Sequence, residues 1–158
     1  MIIRPYQAKD FDEAKRLCGE FVEMIKALLP EDLYRFEAMA ENGIDCWLSE
    51  AAKPEKGFFV AEAESGRLAG FIQGYVDDHK EVKLSRWGVI DAFFISEAYR
   101  GQGTGSELYE TLEKWFTGQG CVAARVETWL TNSTAIEAYQ AMGFIPFFTG
   151  FVKEIPPS

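Results

Sequence analysis

The sequence has few of the residues from which disulfide frameworks and metal centres are built. It holds three cysteines, widely spaced and without a C-x-x-C pair, and one histidine, His79, among its 158 residues. An odd number of isolated cysteines does not form a disulfide framework, and a zinc site needs several cysteine or histidine ligands at short spacing. We therefore expect free thiols in a reducing compartment and no bound metal.

Long apolar runs and an excess of positive charge are also missing. No uninterrupted apolar run reaches the length of about 18 residues that a membrane span needs, and residues 1–6 contain no apolar stretch of signal-peptide length. The 16 basic residues are outnumbered by 25 acidic ones, which gives a formal net charge of −9. Such a charge repels phosphate backbones and anionic lipid. We expect a cytoplasmic protein that binds neither nucleic acid nor a membrane.

Apolar and aromatic residues, in contrast, are plentiful. Hydrophobic residues make up 47% of the chain, including 13 Phe and 4 Trp. A fold of this length buries roughly 70% of the surface that its unfolded chain exposes. The composition therefore predicts one hydrophobic core and a single domain over residues 1–158.

The apolar periodicity switches between strand and helix along the chain. It predicts strands at 2–6, 58–61, 68–76, 87–95 and 121–129, with one or two closing strands within 144–155. It predicts helices at 11–28, from about 105 to 118 and at 132–142, and two shorter helices between 33 and 48. The run at 87–95 is apolar enough for a buried central strand. The predicted fold class is mixed α+β.

A glycine-rich turn, Arg100-Gly101-Gln102-Gly103-Thr104-Gly105, follows that central strand and leads into a helix. Free backbone N–H groups that converge at a helix N-terminus favour phosphate. A P-loop would need Lys followed by Ser or Thr after the last glycine, and a dinucleotide-binding turn would need glycine at Ser106. Neither pattern is present, and a surface turn without a ligand is the plain alternative.

Two motifs resemble those of the GNAT (Gcn5-related) N-acetyltransferases. The R-x-x-G-x-G signature is carried by Arg100, Gly103 and Gly105, and residues 132–144 follow the pattern N-x-x-A-x-x-x-Y-x-x-x-G-F. The resemblance covers the whole chain in element order and is specific over residues 88–148. It implies a twisted, mostly antiparallel sheet of six to seven strands flanked by about four helices. The central strands at 87–95 and 121–129 would splay apart to admit the pantetheine arm of coenzyme A.

The resemblance also implies which residues hold acetyl-CoA. Backbone amides of the turn would bind the pyrophosphate of the coenzyme, and the turn comprises Arg100, Gly101, Gln102, Gly103, Thr104, Gly105 and Ser106. Strand backbone groups of Phe93, Phe94 and Ile95 would pair with pantetheine and polarise the thioester carbonyl. Asn132 and Ala135 would complete the cofactor site. For Asn132 the alternative is a plain helix N-cap, and the two roles can coexist.

Two residues are candidates for proton transfer. Asp91 is the only charge in the apolar run 89–95, and burial there would raise its pKa towards the range of a base. By our alignment, its position matches that of the glutamate assigned as base in polyamine-acetylating members of the family. Asp91 is one methylene shorter than a glutamate, so a water molecule could relay the proton. By the resemblance, Tyr139 is the acid for the coenzyme A sulfur. The alternatives are an Asp91 that pairs with a neighbouring strand or a basic side chain, and a Tyr139 that is a core aromatic with a satisfied hydroxyl.

The function that this resemblance implies is acetyl-CoA-dependent N-acetylation of a primary amine by direct attack in a ternary complex. Residues 10–50, which the resemblance places along the acceptor site, hold 11 acidic and 4 basic residues. This balance favours a small cationic amine, polyamine-like or aminoglycoside-like, or a basic peptide terminus, although exposed helices often carry such charge without function. A catalytically silent acyl-CoA-binding sensor and a nucleotide phosphate binder are the alternatives. Dimers are common in the family, so a homodimer is compatible with the resemblance.

Overall fold

The computed structural model describes residues 1–29, 43–153 and 155. Among them are five strands: β1 (Ile2–Pro5), β2 (Gly57–Glu62), β3 (Leu68–Asp78), β4 (Arg86–Ile95) and β5 (Ala123–Val126). The same residues include four α-helices: α1 (Phe11–Leu28), α2 (Ile44–Ala51), α3 (Thr104–Gly118) and α4 (Ser133–Ala141). The α+β class is therefore confirmed. The predicted helical residues 33–42 and the tail at 156–158 lie outside the described residues.

The strands form one sheet in the order β1-β2-β3-β4-β5. Strands β1 to β4 pair antiparallel, and β5 pairs parallel to β4. A parallel pair needs a crossover connection, which α3 supplies here. The mostly antiparallel sheet predicted from the resemblance is confirmed, and β4 lies between β3 and β5 as expected of a central strand.

Strands β4 and β5 separate halfway along β4. Their register runs from Trp87 opposite Ala123 to Ile90 opposite Val126 and stops there. Strand β4 continues to Ile95, so residues 91–95 have no strand partner on the side that faces β5. The predicted splay between the two central strands is therefore present, and it begins at Asp91.

A β-bulge lies at the same point. Ala92 pairs with Gln73 and Ile90 pairs with Gly74, so Asp91 is an extra residue without a partner on β3. A bulge of this kind disrupts the alternation of side chains along a strand. Ile90 packs on the side of the sheet covered by α3, whereas Ala92 packs on the side covered by α1 and α2. Asp91 joins Ala92 on the α1 side, where both residues line a cavity.

The core lies on both faces of the sheet. Helices α1 and α2 bury one apolar cluster with Val60, Phe71 and Phe94, and α3 buries Leu108, Leu112 and Phe116 against the other face. The ring of Phe116 lies so close to β4 that a Cβ built on Gly88 would be 2.4 Å from it. Glycine at that position therefore lets α3 approach the sheet.

The prediction of closing strands within residues 144–155 is wrong for the described part of that segment. No strand follows α4 there, and the sheet has five strands rather than six or seven. The side chains of Phe147, Phe148 and Phe151 are 75%, 75% and 96% exposed. The apolar pattern indicates strand propensity, but a strand must also pair with a sheet edge, and among the described residues none pairs with the outer edge of β5. None of the described helices has the length and apolar character needed to cross a membrane.

Candidate active site

The glycine-rich turn presents a row of backbone N–H groups. Gly101 and Gly103 have φ angles of +72° and +83°, which glycine adopts without steric cost. Helix α3 starts directly after the turn, and its first backbone bond runs from Glu107 N to Gly103 O at 3.1 Å. Within the described residues, the N–H groups of 101–106 donate to no protein acceptor. Unpaired N–H groups at the start of a 15-residue helix fit a pyrophosphate.

Side chains of the turn hold it against the end of β4. The Arg100 Nε donates to the Ile95 carbonyl oxygen at 2.9 Å, and its guanidinium lies 5.7 Å from the centre of the Phe94 ring. Gln102 Nε2 donates to the Ala98 carbonyl oxygen at 3.1 Å. In the structure the Arg100 side chain thus ties the turn to the strand, and its contact with the coenzyme stays a prediction.

The free part of β4 lies next to the turn and to α4. Gly105 packs beside Phe93, since a Cβ on this glycine would be 3.5 Å from the Phe93 ring. The half-buried Phe93 ring is in turn 6.4 Å from the Tyr139 ring. Phe94 faces the opposite side, where its ring is buried among aromatic core residues. The structure therefore brings Phe93, Gly105 and Tyr139 together, whereas only the backbone of Phe94 is available to a ligand in the splay.

Tyr139 lies on α4 with its ring between Phe93 and Phe144, at 6.4 and 5.8 Å between ring centres. Burial raises the pKa of its phenol to about 12. The hydroxyl makes no hydrogen bond to another described residue. Tyr139 is therefore protonated at neutral pH and has a proton to donate.

Asn132 caps the start of α4, as the alternative interpretation predicted. Its Oδ1 accepts from the Ala135 backbone N–H at 3.2 Å, and its Nδ2 donates to Thr128 Oγ1 at 3.2 Å. This contact fixes the first turn of the helix that carries Tyr139. Contacts of Asn132 and Ala135 with the coenzyme stay predictions.

The expected burial of Asp91 is wrong, because its side chain is exposed. The bulge is the reason, since it takes Asp91 out of the side-chain alternation that the strand pattern assumed. Its Oδ2 accepts a hydrogen bond from Trp47 Nε1 at 3.1 Å, so its partner among the described residues is an indole and not a basic side chain. The charge of Asp91 also lies close enough to Tyr75 on β3 to add to burial, the larger cause, in raising the pKa of that phenol.

Asp91 lies at the wall of a cavity of about 290 Å³ between the sheet and helices α1 and α2. The lining residues are mostly apolar or aromatic, and they are Cys18, Phe21, Val22, Ile25, Gly43, Ile44, Trp47, Phe71, Asp91 and Ala92. The sequence analysis did not identify Trp47 as a site residue, because it lies within one of the two short helices predicted between 33 and 48. Its indole N–H, which needs a partner when packed, was the available signal.

The acidic residues of the first helices do not form this cavity. Six of the seven described acidic residues in 10–50 are in salt bridges, and the six are Asp10, Glu13, Glu20, Glu23, Asp45 and Glu50. None of the seven lines the cavity. For the described residues, the expectation that acidic groups of these helices face the acceptor is therefore not supported, and their charge belongs to the solvated surface.

Comparisons with known proteins agree with the two motifs. The sequence profile described as Acetyltransferase (GNAT) family matches residues 21–144. The aminoglycoside N(6')-acetyltransferase type 1 of Klebsiella aerogenes is 30% identical over 86 residues, which are 54% of this chain and 57% of that protein. The N-alpha-acetyltransferase 30 of Saccharomyces cerevisiae is 30% identical over 95 residues, 58% of this chain and 53% of that protein. The chain spans about half the length of the curated relatives it matches.

A solved structure supports the fold. Aminoglycoside N-acetyltransferase AAC(6')-Iy, in complex with the bisubstrate analogue CoA-S-monomethyl-acetylneamine, superimposes with a TM-score of 0.71 at 19% identity. The match covers 99% of this chain and 98% of that one. Because the family profile covers most of the sequence, the chain belongs to the Acetyltransferase (GNAT) family, and the resemblance predicted from its motifs is confirmed. GNAT acetyltransferases use acetyl-CoA as acetyl donor.

Proposed function

We propose that residues 1–158 form one acetyltransferase domain that transfers the acetyl group of acetyl-CoA to a primary amine. One observation carries the proposal: the Tyr139 ring lies 6.4 Å from the Phe93 ring, in the part of β4 that has no partner on its β5 side, next to the unpaired N–H groups at Gly105. An anion cradle, a strand edge that is unpaired on its β5 side and a protonated phenol therefore lie next to one another at the gap between β4 and β5, which we call the cleft. This combination suits a ligand with a pyrophosphate and an extended amide-containing arm.

Different residues of the cleft have different roles in such a transfer. Acetyl-CoA supplies an acetyl group activated as a thioester. The N–H groups of residues 101–106 hold the pyrophosphate, and the open edge of β4 at 93–95 aligns the arm and polarises the carbonyl. Orientation of this kind accounts for much of the rate gain in two-substrate reactions.

Two side chains move protons. An amine in water is largely protonated and must lose a proton before its nitrogen can attack. Asp91, exposed in the bulge where the splay begins, accepts that proton directly or through water. The C–N bond forms as the C–S bond breaks, and Tyr139 gives its hydroxyl proton to the departing sulfur. The acylated nitrogen then loses its second proton, which passes through water to restore the phenol of Tyr139.

All the predicted classes of acceptor carry a primary amine. The two curated relatives are named for an aminoglycoside and for a protein N-terminus. We propose an acceptor that arrives as a cation, so that polyamine-like and aminoglycoside-like amines and basic peptide termini form the first panel. A cytoplasmic location and a homodimeric state are parts of the same proposal.

The test is acetylation with acetyl-CoA of that amine panel, extended by simple primary monoamines. Products are detected by mass spectrometry and free coenzyme A by chromatography, because the exposed Cys46 would react with a thiol reagent. We expect coenzyme A release that depends on one group of amines. Tight coenzyme A binding with no acetylation of any amine would contradict the enzyme and support the silent sensor.

A further inference from the structure

The cavity beside Asp91 has a composition that restricts the acceptor. It combines one carboxylate with apolar and aromatic walls. We infer that the acceptor is a small monoamine whose single ammonium group binds Asp91 and whose aliphatic or aromatic body fills the cavity between α1, α2 and β4. The inference rests on the proposed function. It predicts that amines with a single charge and a larger apolar surface are the better acceptors.

The first argument is the count of charges. Among the described residues of the lining, Asp91 is the only charged one, and its Oδ2 accepts a hydrogen bond from Trp47 Nε1. One carboxylate can neutralise one ammonium. A second ammonium on the same small molecule would leave water for apolar walls without a counter-charge, which is strongly unfavourable. A diamine or an aminoglycoside therefore loses affinity for each charge it must desolvate.

The second argument is the shape and chemistry of the walls. Phe21 and Trp47 are half-buried aromatic lining residues, and the buried side chains of Ile25, Ile44 and Phe71 also line the cavity. Its volume of about 290 Å³ is at the lower end of the range of about 300–1,000 Å³ found for small-molecule sites. A compact apolar body fits this space, whereas a multi-ring aminoglycoside would extend beyond it.

The third argument concerns the described acidic residues of α1 and α2, which are part of the reason to expect a polycation. The acidic residues described on α1 and α2 lie outside the cavity, and all but Asp12 pair with Arg or Lys side chains. Lys15 with Asp45 and Lys26 with Glu23 are examples, at 2.7 and 2.6 Å. Surface pairs of this kind leave little net field to recruit a second cation.

The test compares matched amines with and without a second charge. The kcat/KM values are measured for pentylamine and for 1,5-diaminopentane, and along the series from propylamine to hexylamine. Each added methylene that is buried should raise kcat/KM by about fourfold until the cavity is full. Pentylamine should exceed the diamine at least tenfold. Equal values for the pair, or no dependence on chain length, would overturn the inference.

A variant changes the charge count directly. Phe21→Glu places a second carboxylate in the wall, and we expect the ratio of kcat/KM for pentylamine to that for the diamine to fall at least fivefold. Ala27→Glu adds the same charge to an exposed position of α1 outside the cavity and serves as the matched control. An unchanged ratio in a folded Phe21→Glu protein, or the same change in Ala27→Glu, would count against the inference.

A binding readout separates this inference from the proposed function and does not need the Phe21 variant to fold. Pentylamine is titrated into the coenzyme A complex while indole fluorescence is recorded, with Trp47→Phe as the control that removes the reporting side chain. A change for pentylamine that the diamine does not give, and that Trp47→Phe abolishes, supports the inference even if no acetylation occurs. Acetylation that favours polycations, with no pentylamine signal at Trp47, overturns the inference and leaves the proposed function standing.

Discussion

Replacing Gly103 by Asp should remove coenzyme A binding from the turn. The Gly103 Cβ position is open, since no atom lies within 4 Å of it, so the new carboxylate can project into the cradle formed by the N–H groups of 101–106. Two unit charges about 4 Å apart repel by about 1 kcal/mol in water and about 4 kcal/mol at the effective dielectric of a protein surface. Each 1.4 kcal/mol is tenfold, so coenzyme A affinity should fall between about 5-fold and 10³-fold.

The backbone strain of this change has a matched control. Gly103 has a φ of +83°, and Gly66 in the β2–β3 turn has a φ of +81° with equally open space around its Cβ position. Gly66→Asp therefore carries the same strain and the same charge at a distant site. Affinity is measured by titration calorimetry after thermal melts confirm that both variants fold. Equal coenzyme A affinity in the two variants would refute the assignment of the turn as the pyrophosphate site.

Two further predictions concern stability. Gly88→Ala should destabilise the fold by about 1–3 kcal/mol, because its Cβ would lie 2.4 Å from the Phe116 ring and overlap it. On α1, a Cβ at Gly19 has no described atom outside its own helix backbone within 4 Å, so Gly19→Ala should stabilise the helix by about 0.5–1 kcal/mol. Urea unfolding of both variants checks the pair, and a Gly88→Ala protein as stable as the parent would show that α3 does not pack on this glycine. The second prediction concerns acid. The hydrogen bond from Arg4 lowers the pKa of the buried Asp10 in the folded protein. The stabilising contribution of Asp10 is therefore present above about pH 4, the pKa of an aspartate in the unfolded chain, and is lost as the pH falls through the lower pKa of the folded state. The free energy of unfolding, measured in urea from pH 5 to pH 2, should therefore decline less in Asp10→Asn than in the parent; equal declines would contradict this role.

The parts of the site that short motifs encode could be predicted from the sequence. The turn needs glycine where φ is positive, and this requirement is local, so Gly103 and its neighbours identified the anion cradle. The helix that carries Tyr139 begins at an Asn132 cap, which is also a local signal. The position of the splay followed from the family resemblance.

Features that depend on pairing between distant segments could not be predicted. The bulge at Asp91 is a change of register between β3 and β4, and apolar periodicity within one strand does not record it. The burial of Asp91 was therefore inferred from a run that the bulge interrupts. The contact of Trp47 with Asp91 joins residues 44 positions apart. The strand propensity of residues 144–155 likewise gave no information on whether these residues would pair with an edge strand of the sheet.

The Tyr139→Phe variant tests the central claim, that this cleft protonates the thiol leaving group during acetyl transfer. The change removes only the hydroxyl, whose pKa of about 12 keeps it protonated, and leaves the ring between Phe93 and Phe144. The turnover number with the best acceptor of the panel should fall by about 10²–10⁴-fold, with coenzyme A affinity unchanged. Tyr6→Phe, which removes a hydroxyl from a ring stacked on Phe58, should retain full turnover. A Tyr139→Phe protein with the turnover of the parent would contradict the account.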